Sequence, residues 1–199
     1  MNYLLLLIMI FSSTVFAQID IRPAMLHELP QILELDQRIT YEFFKPLYAT
    51  VYEHLQLTND ADADLQKELA ADAQSFPEII AEQGATRLHI AWDTDSDVPC
   101  GLLLFSQQDN KEVTLDLLLV AKEYRGKGIG KRLVHSIFQA FTAIPAVNVF
   151  PLQYSNDATL KFYHALGFKN LGPDLRDETN VHGIRLSDLY YYFRLDIEK

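Results

Sequence analysis

The sequence predicts an α/β fold in which a mixed β-sheet is flanked by helices. The chain has 199 residues, of which 49% are apolar and 22% charged, so it is large enough to bury the core of one ordinary domain. Segments with strand-like patterns are interspersed with segments of helical periodicity. Their order is a strand, helices, antiparallel strands, and then strands and helices in alternation, which is typical of a mixed sheet.

The first 17 residues are expected to lie outside this domain, which would comprise residues 18–199. Tyr3–Phe11 is an unbroken apolar run that is too short to span a bilayer. The small residues Val15 and Ala17 fit the end of a secretory signal peptide. The first two residues carry no positive charge, however, and a translation start placed too far upstream would also explain the segment.

The next segments predict a strand followed by helices. Gln18–Arg22 is expected to be a short strand, and apolar residues at helical spacing predict a helix over His27–Gln37. From Thr40 to Glu82 the pattern is again helical, and Pro46 and Pro77 are expected to break it into two or three helices.

The middle of the chain predicts three strands and a long amphipathic helix. The strands are Leu88–Trp92, Gly101–Ser106 and Val113–Val120. The helix runs from Gly128 to Thr142, with apolar residues four positions apart at Leu133, Ile137 and Phe141.

Strands and a helix also alternate at the C-terminal end. The predicted strands are Val147–Phe150, Phe168–Leu171 and Leu189–Ile197. The predicted helix is Asn156–Leu166, and Gly167 stands where a helix usually ends.

The composition excludes several classes of function. The formal net charge of −10 would repel nucleic acid, which binds to basic surfaces, but it permits a cationic substrate. Cys100 is the single cysteine, so no intrachain disulfide or cysteine-based metal site is expected. The acidic runs Asp60–Asp64 and Asp93–Asp97 lack the glycine and glutamate of a calcium loop. No metal site is predicted.

The most informative segment is a glycine-rich turn that follows an apolar strand. Gly126, Gly128 and Gly130 lie at the start of the predicted helix, where unpaired backbone N–H groups and the helix dipole attract anions. Arg125 and Lys127 add positive charge to this turn in an otherwise acidic chain. The pattern fits neither a P-loop nor a Rossmann motif. It predicts a pyrophosphate site.

Arg125-x-x-Gly128-x-Gly130 after an apolar strand resembles the acyl-CoA pyrophosphate loop of the GNAT superfamily of N-acetyltransferases. Further segments are similar to the family's first strand, fourth helix and following turn, namely Ile21–Ala24, Asn156–Ala158, Phe162-Tyr163 and Gly167-Phe168. The resemblance extends from about residue 19 to the C-terminus. It implies a central sheet that splays open at the acyl-CoA site.

The same resemblance implies which residues would bind acyl-CoA. In the opened sheet, pantetheine would pair with the backbone of Leu118, Leu119 and Val120. The pyrophosphate would bind at Arg125 and at the amides of Gly126, Lys127, Gly128, Ile129, Gly130 and Lys131. Asn156 would line the pantetheine arm.

The chemistry requires two proton transfers. An amine with a pKa of about 10.4 must lose a proton before it attacks a thioester, and the departing thiolate must gain one. Tyr163 matches the position of the family's catalytic tyrosine, which implies that it is the acid. The alternative is a tyrosine that only packs in the core.

Asp116 is the candidate base, because it is the one carboxylate in the apolar strand Val113–Val120. Strand alternation predicts that it shares a face with Thr114, Leu118 and Val120. Its offset from Arg125 resembles the carboxylate that the spermidine/spermine acetyltransferase branch uses, often through water. The alternative is an aspartate exposed where the strand splays.

The resemblance implies an enzyme that transfers an acetyl group from acetyl-CoA to a primary amine. A polyamine or another small cationic amine is the leading acceptor, followed by aminoglycosides and protein lysines or N-termini. The alternatives are an acyl-CoA-binding module without turnover and an exported binding protein.

Two further expectations concern location and assembly. Because acetyl-CoA is a cytosolic metabolite, a cytoplasmic location is expected, with export after cleavage at Ala17 as the alternative. The aromatic segment Tyr190–Phe193 could form the sheet of a homodimer.

Overall fold

A mixed β-sheet organises the computed structural model, which describes residues 17–54, 60–151, 157–174 and 190–197. Within these residues the strands are β1 (Ile19–Pro23), β2 (Thr86–Asp93), β3 (Val98–Gln107), β4 (Val113–Val120), β5 (Ala146–Val149), β6 (Lys169–Pro173) and β7 (Tyr191–Asp196). Their order across the sheet is β1-β2-β3-β4-β5-β7-β6. β4 and β5 are parallel, and the other described neighbours are antiparallel.

Helices cover both faces of the sheet. They are α1 (Leu29–His54), α2 (Ala61–Glu82), α3 (Ile129–Ala140) and α4 (Asp157–Ala165). Apolar residues of α1 and α2 pack in one buried cluster, and those of α3 and α4 pack in another on the opposite face. The predicted mixed α/β fold with flanking helices is confirmed.

The prediction that Pro46 breaks the helical region is wrong. Pro46 lies inside α1, which continues without interruption from Leu29 to His54. A proline removes the hydrogen bond to the carbonyl four residues earlier and crowds the preceding turn, but Pro46 and Glu42, whose carbonyl loses that partner, are both exposed, so water can replace the bond. Pro77 is likewise internal to α2.

The acidic run Asp60–Asp64 lies at the N-terminus of α2 and has a structural role there. Asp60 is the N-cap, and its carboxylate accepts hydrogen bonds from the amides of Asp62 (2.9 Å) and Ala63 (3.4 Å). A side chain that satisfies these amides stabilises a helix by about 1 kcal/mol.

β4 separates from β5 halfway along its length. The parallel pairing covers Val113–Leu115 of β4 and Val147–Val149 of β5. Beyond Leu115, β4 remains paired with β3, whereas its other edge has no partner strand among the described residues. The resulting opening is the splay that the family resemblance implied.

A β-bulge lies at the start of this opening. Leu115 pairs with Phe105 and Leu117 with Leu104, so Asp116 has no counterpart on β3. A bulge inserts one extra residue and therefore changes the face on which the following side chains lie. Leu118 accordingly packs in the same cluster as Leu115.

The predicted alternation along β4 is therefore wrong. Leu118 and Val120 were expected on the face of Thr114, but they pack with the α3 and α4 side of the core. Leu117 and Leu119 pack with the α1 and α2 side instead. The bulge at Asp116 is the reason for the change.

The strand that was expected to form a homodimer sheet does not lie at an edge of the described sheet. β7 lies between β5 and β6 and is paired on both edges, so the strand that contains Tyr191–Phe193 is not a free edge for a dimer sheet.

The proposed leader, apart from Ala17, lies outside the described residues. No helix in the described part of the chain is long and apolar enough to cross a membrane.

Candidate active site

The loop between β4 and α3 has the backbone that its glycines predict. Gly126 and Gly128 have φ values of +74° and +76°, a left-handed conformation that other residues adopt only under strain. Gly128 caps α3, which begins at Ile129. A Cβ atom at Gly126 or Gly128 would meet no described protein atom within 4 Å, so no described part of the chain covers these two positions.

Gly130 is required for a different reason. A Cβ atom there would lie 3.2 Å from the ring of Phe162 and 3.7 Å from Val120. This glycine therefore allows α4 to pack closely against the first turn of α3.

The cationic side chains around the loop are held in different ways. The Nε of Arg125 donates to the carbonyl of Val120 at 2.8 Å, and its guanidinium lies 5.9 Å from the ring of Phe43. The Nζ of Lys127 lies 4.9 Å from the ring of Tyr124. Lys131 is exposed on the first turn of α3.

The predicted pantetheine strand lies directly before this loop. Leu118 and Leu119 pair with Leu103 and Leu102 of β3. Leu119 is 3% exposed, and Leu118 and Val120 are partly buried. Their side chains fill both faces of the sheet, which leaves the backbone on the side of β5 as the polar surface of the opening.

Tyr163 lies in α4 within the core on the α3 side. It is 6% exposed, and its ring centroid is 5.5 Å from that of Phe168 and 6.1 Å from that of Phe193. None of the described residues forms a hydrogen bond with its hydroxyl. Burial raises the pKa of Tyr163 above its ordinary value, so the phenol keeps its proton throughout the neutral range.

Asp116 combines solvent exposure with a raised pKa. Its residue surface is exposed, yet desolvation by the surrounding protein raises the pKa of the carboxyl, against the opposing effect of a hydrogen bond with Ser106. The surrounding protein therefore desolvates the carboxyl, although water still reaches the residue. A carboxylate with a raised pKa is a better base than an ordinary aspartate.

Asn156, the remaining predicted site residue, lies outside the described residues. α4 begins at the next position, Asp157.

An acidic seam between α1 and α2 was missed by the sequence analysis. It contains Asp36, Asp64, Glu68 and Asp72. Asp36 is 1% exposed and accepts a hydrogen bond from Thr40 at 3.3 Å. Desolvation, with the charge of Asp72 as a smaller cause, raises the pKa of Asp36 to about 7.

Tyrosines of α1 bond to the other end of this seam. Tyr48 donates a hydrogen bond to Glu68, and Tyr52 donates one to Asp64. The pKa of Tyr48 is raised by burial first, then by Glu68, with a smaller effect of Tyr190 beside β7. The seam therefore extends toward β7, whose Tyr191 amide bonds to Pro151 just after β5.

The sequence contains a signal for this seam. Asp64, Glu68 and Asp72 are four residues apart, as are Tyr48 and Tyr52, so each set shares one helix face. In the described part of the chain, no group of three or more histidine, cysteine, aspartate or glutamate residues could hold a metal ion.

Solved structures share this fold over most of their length. The PaiA N-acetyltransferase from Thermoplasma acidophilum, in complex with coenzyme A, has a TM-score of 0.64 and 17% identity, with 90% of this chain and 99% of that chain covered. A GNAT-family acetyltransferase from Staphylococcus aureus Mu50 has a TM-score of 0.59 and 15% identity, covering 91% and 100%. The ribosomal-protein-S18-alanine N-acetyltransferase from Escherichia coli has a TM-score of 0.58 and 13% identity, covering 92% and 96%.

At such low identity these similarities establish the fold alone. A search of curated protein sequences found no significant match. The family model of the acetyltransferase (GNAT) domain matches residues 54–189, which is more than half of the chain. On this match, together with the splayed sheet and the glycine loop before α3, the chain belongs to the GNAT acetyltransferase family.

Proposed function

We propose that this protein transfers the acetyl group of acetyl-CoA to the primary amine of a small cationic molecule. The observation that carries the proposal is the opening between β4 and β5, which leads to the exposed glycine loop at the N-terminus of α3. An extended pantetheine needs backbone partners, and a pyrophosphate needs N–H donors. This arrangement offers both side by side.

In this proposal, Leu118–Val120 bind the pantetheine arm through their backbone. The amides from Gly126 to Lys131 bind the pyrophosphate, with the ammonium groups of Lys127 and Lys131 adding positive charge. Arg125 acts mainly by fixing the end of β4, because its Nε bonds to the carbonyl of Val120. Asn156 is proposed to line the same arm. The site would lie in a cytoplasmic enzyme, where acetyl-CoA is available.

Acetyl-CoA supplies an activated thioester, and residues of the protein transfer the protons. The carboxylate of Asp116 accepts a proton from the ammonium group of the acceptor, directly or through water, so that the free amine can attack the thioester carbon. When the carbon–sulfur bond breaks, the hydroxyl of Tyr163 donates a proton to the thiolate. The nitrogen loses its second proton as the amide forms, and that proton restores the phenol.

The acidic seam supports a cationic acceptor. Glu68 is exposed and Asp72 is half-buried, and desolvation raises the pKa of both carboxyls, to about 6 for Asp72. An ammonium group nearby would offset the repulsion between these acids. β5 carries Asn148 and no acidic residue, which favours a small amine over a protein N-terminus, since the protein-N-terminus branch uses an acid in this strand.

The test is an acetylation assay with a panel of amines, combined with calorimetry of CoA binding to two variants of Gly128. Gly128→Asp introduces a negative charge beside the pyrophosphate, and we expect CoA affinity to fall at least about tenfold. Gly128→Asn is the matched control, because asparagine has nearly the same size, carries no charge and tolerates a left-handed backbone. Its affinity should stay much closer to that of the wild type.

The outcomes separate three functions. Acetylation of a polyamine or diamine, with CoA binding lost in Gly128→Asp, supports the proposal. CoA binding without turnover of any amine would identify a binding module. Undiminished binding by Gly128→Asp would contradict the assignment of the loop.

A further inference from the structure

A partly buried hydrogen bond connects the glycine loop to a distant turn of the sheet. The hydroxyl of Tyr124 donates to Oδ2 of Asp93 at 2.6 Å. Tyr124 ends the short 3₁₀ turn Lys122–Tyr124 and directly precedes Arg125, where the loop begins. Asp93 is the last residue of β2. The bond therefore links two segments that are 31 residues apart in the chain.

Asp93 is well prepared to accept this bond. It is 2% exposed, and its Oδ1 accepts hydrogen bonds from the amides of Asp95 at 3.0 Å and Ser96 at 3.4 Å. The Tyr124 hydroxyl is the largest influence that lowers the pKa of Asp93, and the same bond raises the pKa of Tyr124 to about 12. The acceptor is thus ionised and the donor protonated at neutral pH.

The ring of Tyr124 has a second contact, with the loop itself. Its centroid lies 4.9 Å from Nζ of Lys127, a distance at which a cation and an aromatic face attract each other. The ring also packs against both buried clusters. Tyr124 therefore bonds to the sheet through its hydroxyl and orients a lysine of the loop through its ring.

The loop needs such support, because Gly126 and Gly128 are exposed and have no side chains with which to pack. Glycine has access to more backbone conformations than any other residue. A loop that samples many conformations must lose that freedom when it binds a ligand, and affinity falls accordingly.

We propose that Tyr124 and Asp93 are positioning residues that hold the glycine loop in the conformation that binds the pyrophosphate of acyl-CoA. This inference rests on the proposed function, because it assigns a role in the same site. It predicts a specific defect: loss of the bond should weaken recognition of the pyrophosphate-bearing part of the substrate and leave the acyl-pantetheine part unaffected.

The experiment compares two acetyl donors, acetyl-CoA and S-acetylpantetheine, which lacks the pyrophosphate and the nucleotide. For Tyr124→Phe, which keeps the ring but removes the hydroxyl, we expect the KM for acetyl-CoA to rise about tenfold, as for a lost hydrogen bond to a charged group. The kcat should be nearly unchanged. The kcat/KM for S-acetylpantetheine should match that of the wild type.

Three further variants sharpen the comparison. Tyr124→Leu also removes the ring and should raise the KM for acetyl-CoA further. Asp93→Asn should add little to Tyr124→Phe in the double variant, because the two changes remove the same bond. Tyr192→Phe is the control: it also removes a tyrosine hydrogen bond, to Asn148 at 3.0 Å, and should leave the KM for acetyl-CoA unchanged.

A measurement without substrate keeps the outcome independent of the proposed function. Hydrogen exchange of the amides from Arg125 to Gly130 should be faster in Tyr124→Phe, and exchange in the middle of α3 should be unchanged. An equal loss of kcat/KM for both donors, or unchanged exchange in the loop, would overturn the positioning role. If the wild type acetylates no amine and binds no CoA, the proposed function fails, and hydrogen exchange still decides whether the bond holds the loop.

Discussion

At the scale of single residues, the environment of Tyr163 determines how it could act. Its ring is enclosed by Phe162, Phe168 and Phe193, and burial keeps the phenol protonated. Tyr163→Phe should leave this packing and CoA binding intact. If the hydroxyl protonates the leaving thiolate, kcat should fall about 100-fold or more, the range for a lost general acid. Steady-state kinetics with the best amine provides the measurement.

The same variant also tests a purely structural role. A tyrosine that only packs in the core would lose little activity as phenylalanine, and wild-type kcat in Tyr163→Phe would exclude it as the acid. Calorimetry of CoA binding must accompany the kinetics, because a packing defect would also reduce the rate.

Asp116 should give a different, pH-dependent signature. A base is active only when it is ionised, and desolvation raises the pKa of this carboxyl, so wild-type activity should rise with pH through that raised pKa. Asp116→Asn should lower kcat/KM most at neutral pH, where little free amine exists. The defect should shrink as the pH approaches the pKa of the amine, about 10.4. A defect of constant size across the pH range would argue against a base.

At the scale of elements, the α1–α2 hairpin contains an electrostatic strain that can be measured. Asp36 has a folded-state pKa of about 7, against 3.8 for an ordinary aspartate. A raised pKa favours the protonated folded state, so the associated stability is present below about pH 4 and is lost as the pH rises through 7. Asp36→Asn should therefore stabilise the protein at pH 8, on the order of 2 kcal/mol, and change little at pH 4.

Denaturant unfolding at both pH values measures this effect. Glu78→Gln, at an exposed position on α2, is the control and should change the free energy of unfolding by the same amount at both pH values. Spermidine serves as a probe of the seam: if a cationic amine binds beside these acids, it should stabilise the wild type at pH 8 more than Asp36→Asn. Equal stability of Asp36→Asn and the wild type at pH 8 would show that Asp36 causes no electrostatic strain.

β4 shows how one residue changes the role of an element. Strict alternation would place Leu118 and Val120 with Thr114, but the extra residue at Asp116 turns them to the opposite face. The same bulge lies where β4 leaves β5. The candidate base, the change of face and the opening of the sheet therefore all occur at one position.

At the scale of the whole molecule, charge is distributed unevenly. The chain carries a net charge of −10, whereas Arg125, Lys127, Lys131 and Arg132 cluster around the glycine loop. On the other side of the sheet, the α1–α2 seam collects acids. This distribution would attract an anionic molecule to the loop and a cationic one to the seam.

Features that depend on neighbouring residues could be predicted from the amino-acid sequence alone. The order of strands and helices follows from local periodicity, and the positive φ values of the loop occur at Gly126 and Gly128, which have no Cβ to oppose them. The start of α3 next to this loop is equally local. These features need no knowledge of distant contacts.

Features that depend on the register between distant segments could not be predicted before the fold was known. The bulge at Asp116 requires the pairing of β3 with β4, and the acidic seam requires α1 to lie against α2. The Tyr124–Asp93 bond joins residues 31 positions apart, and nothing in the local pattern around either residue specifies the other. Such pairings result from how whole elements pack, so periodicity along the chain does not reveal them.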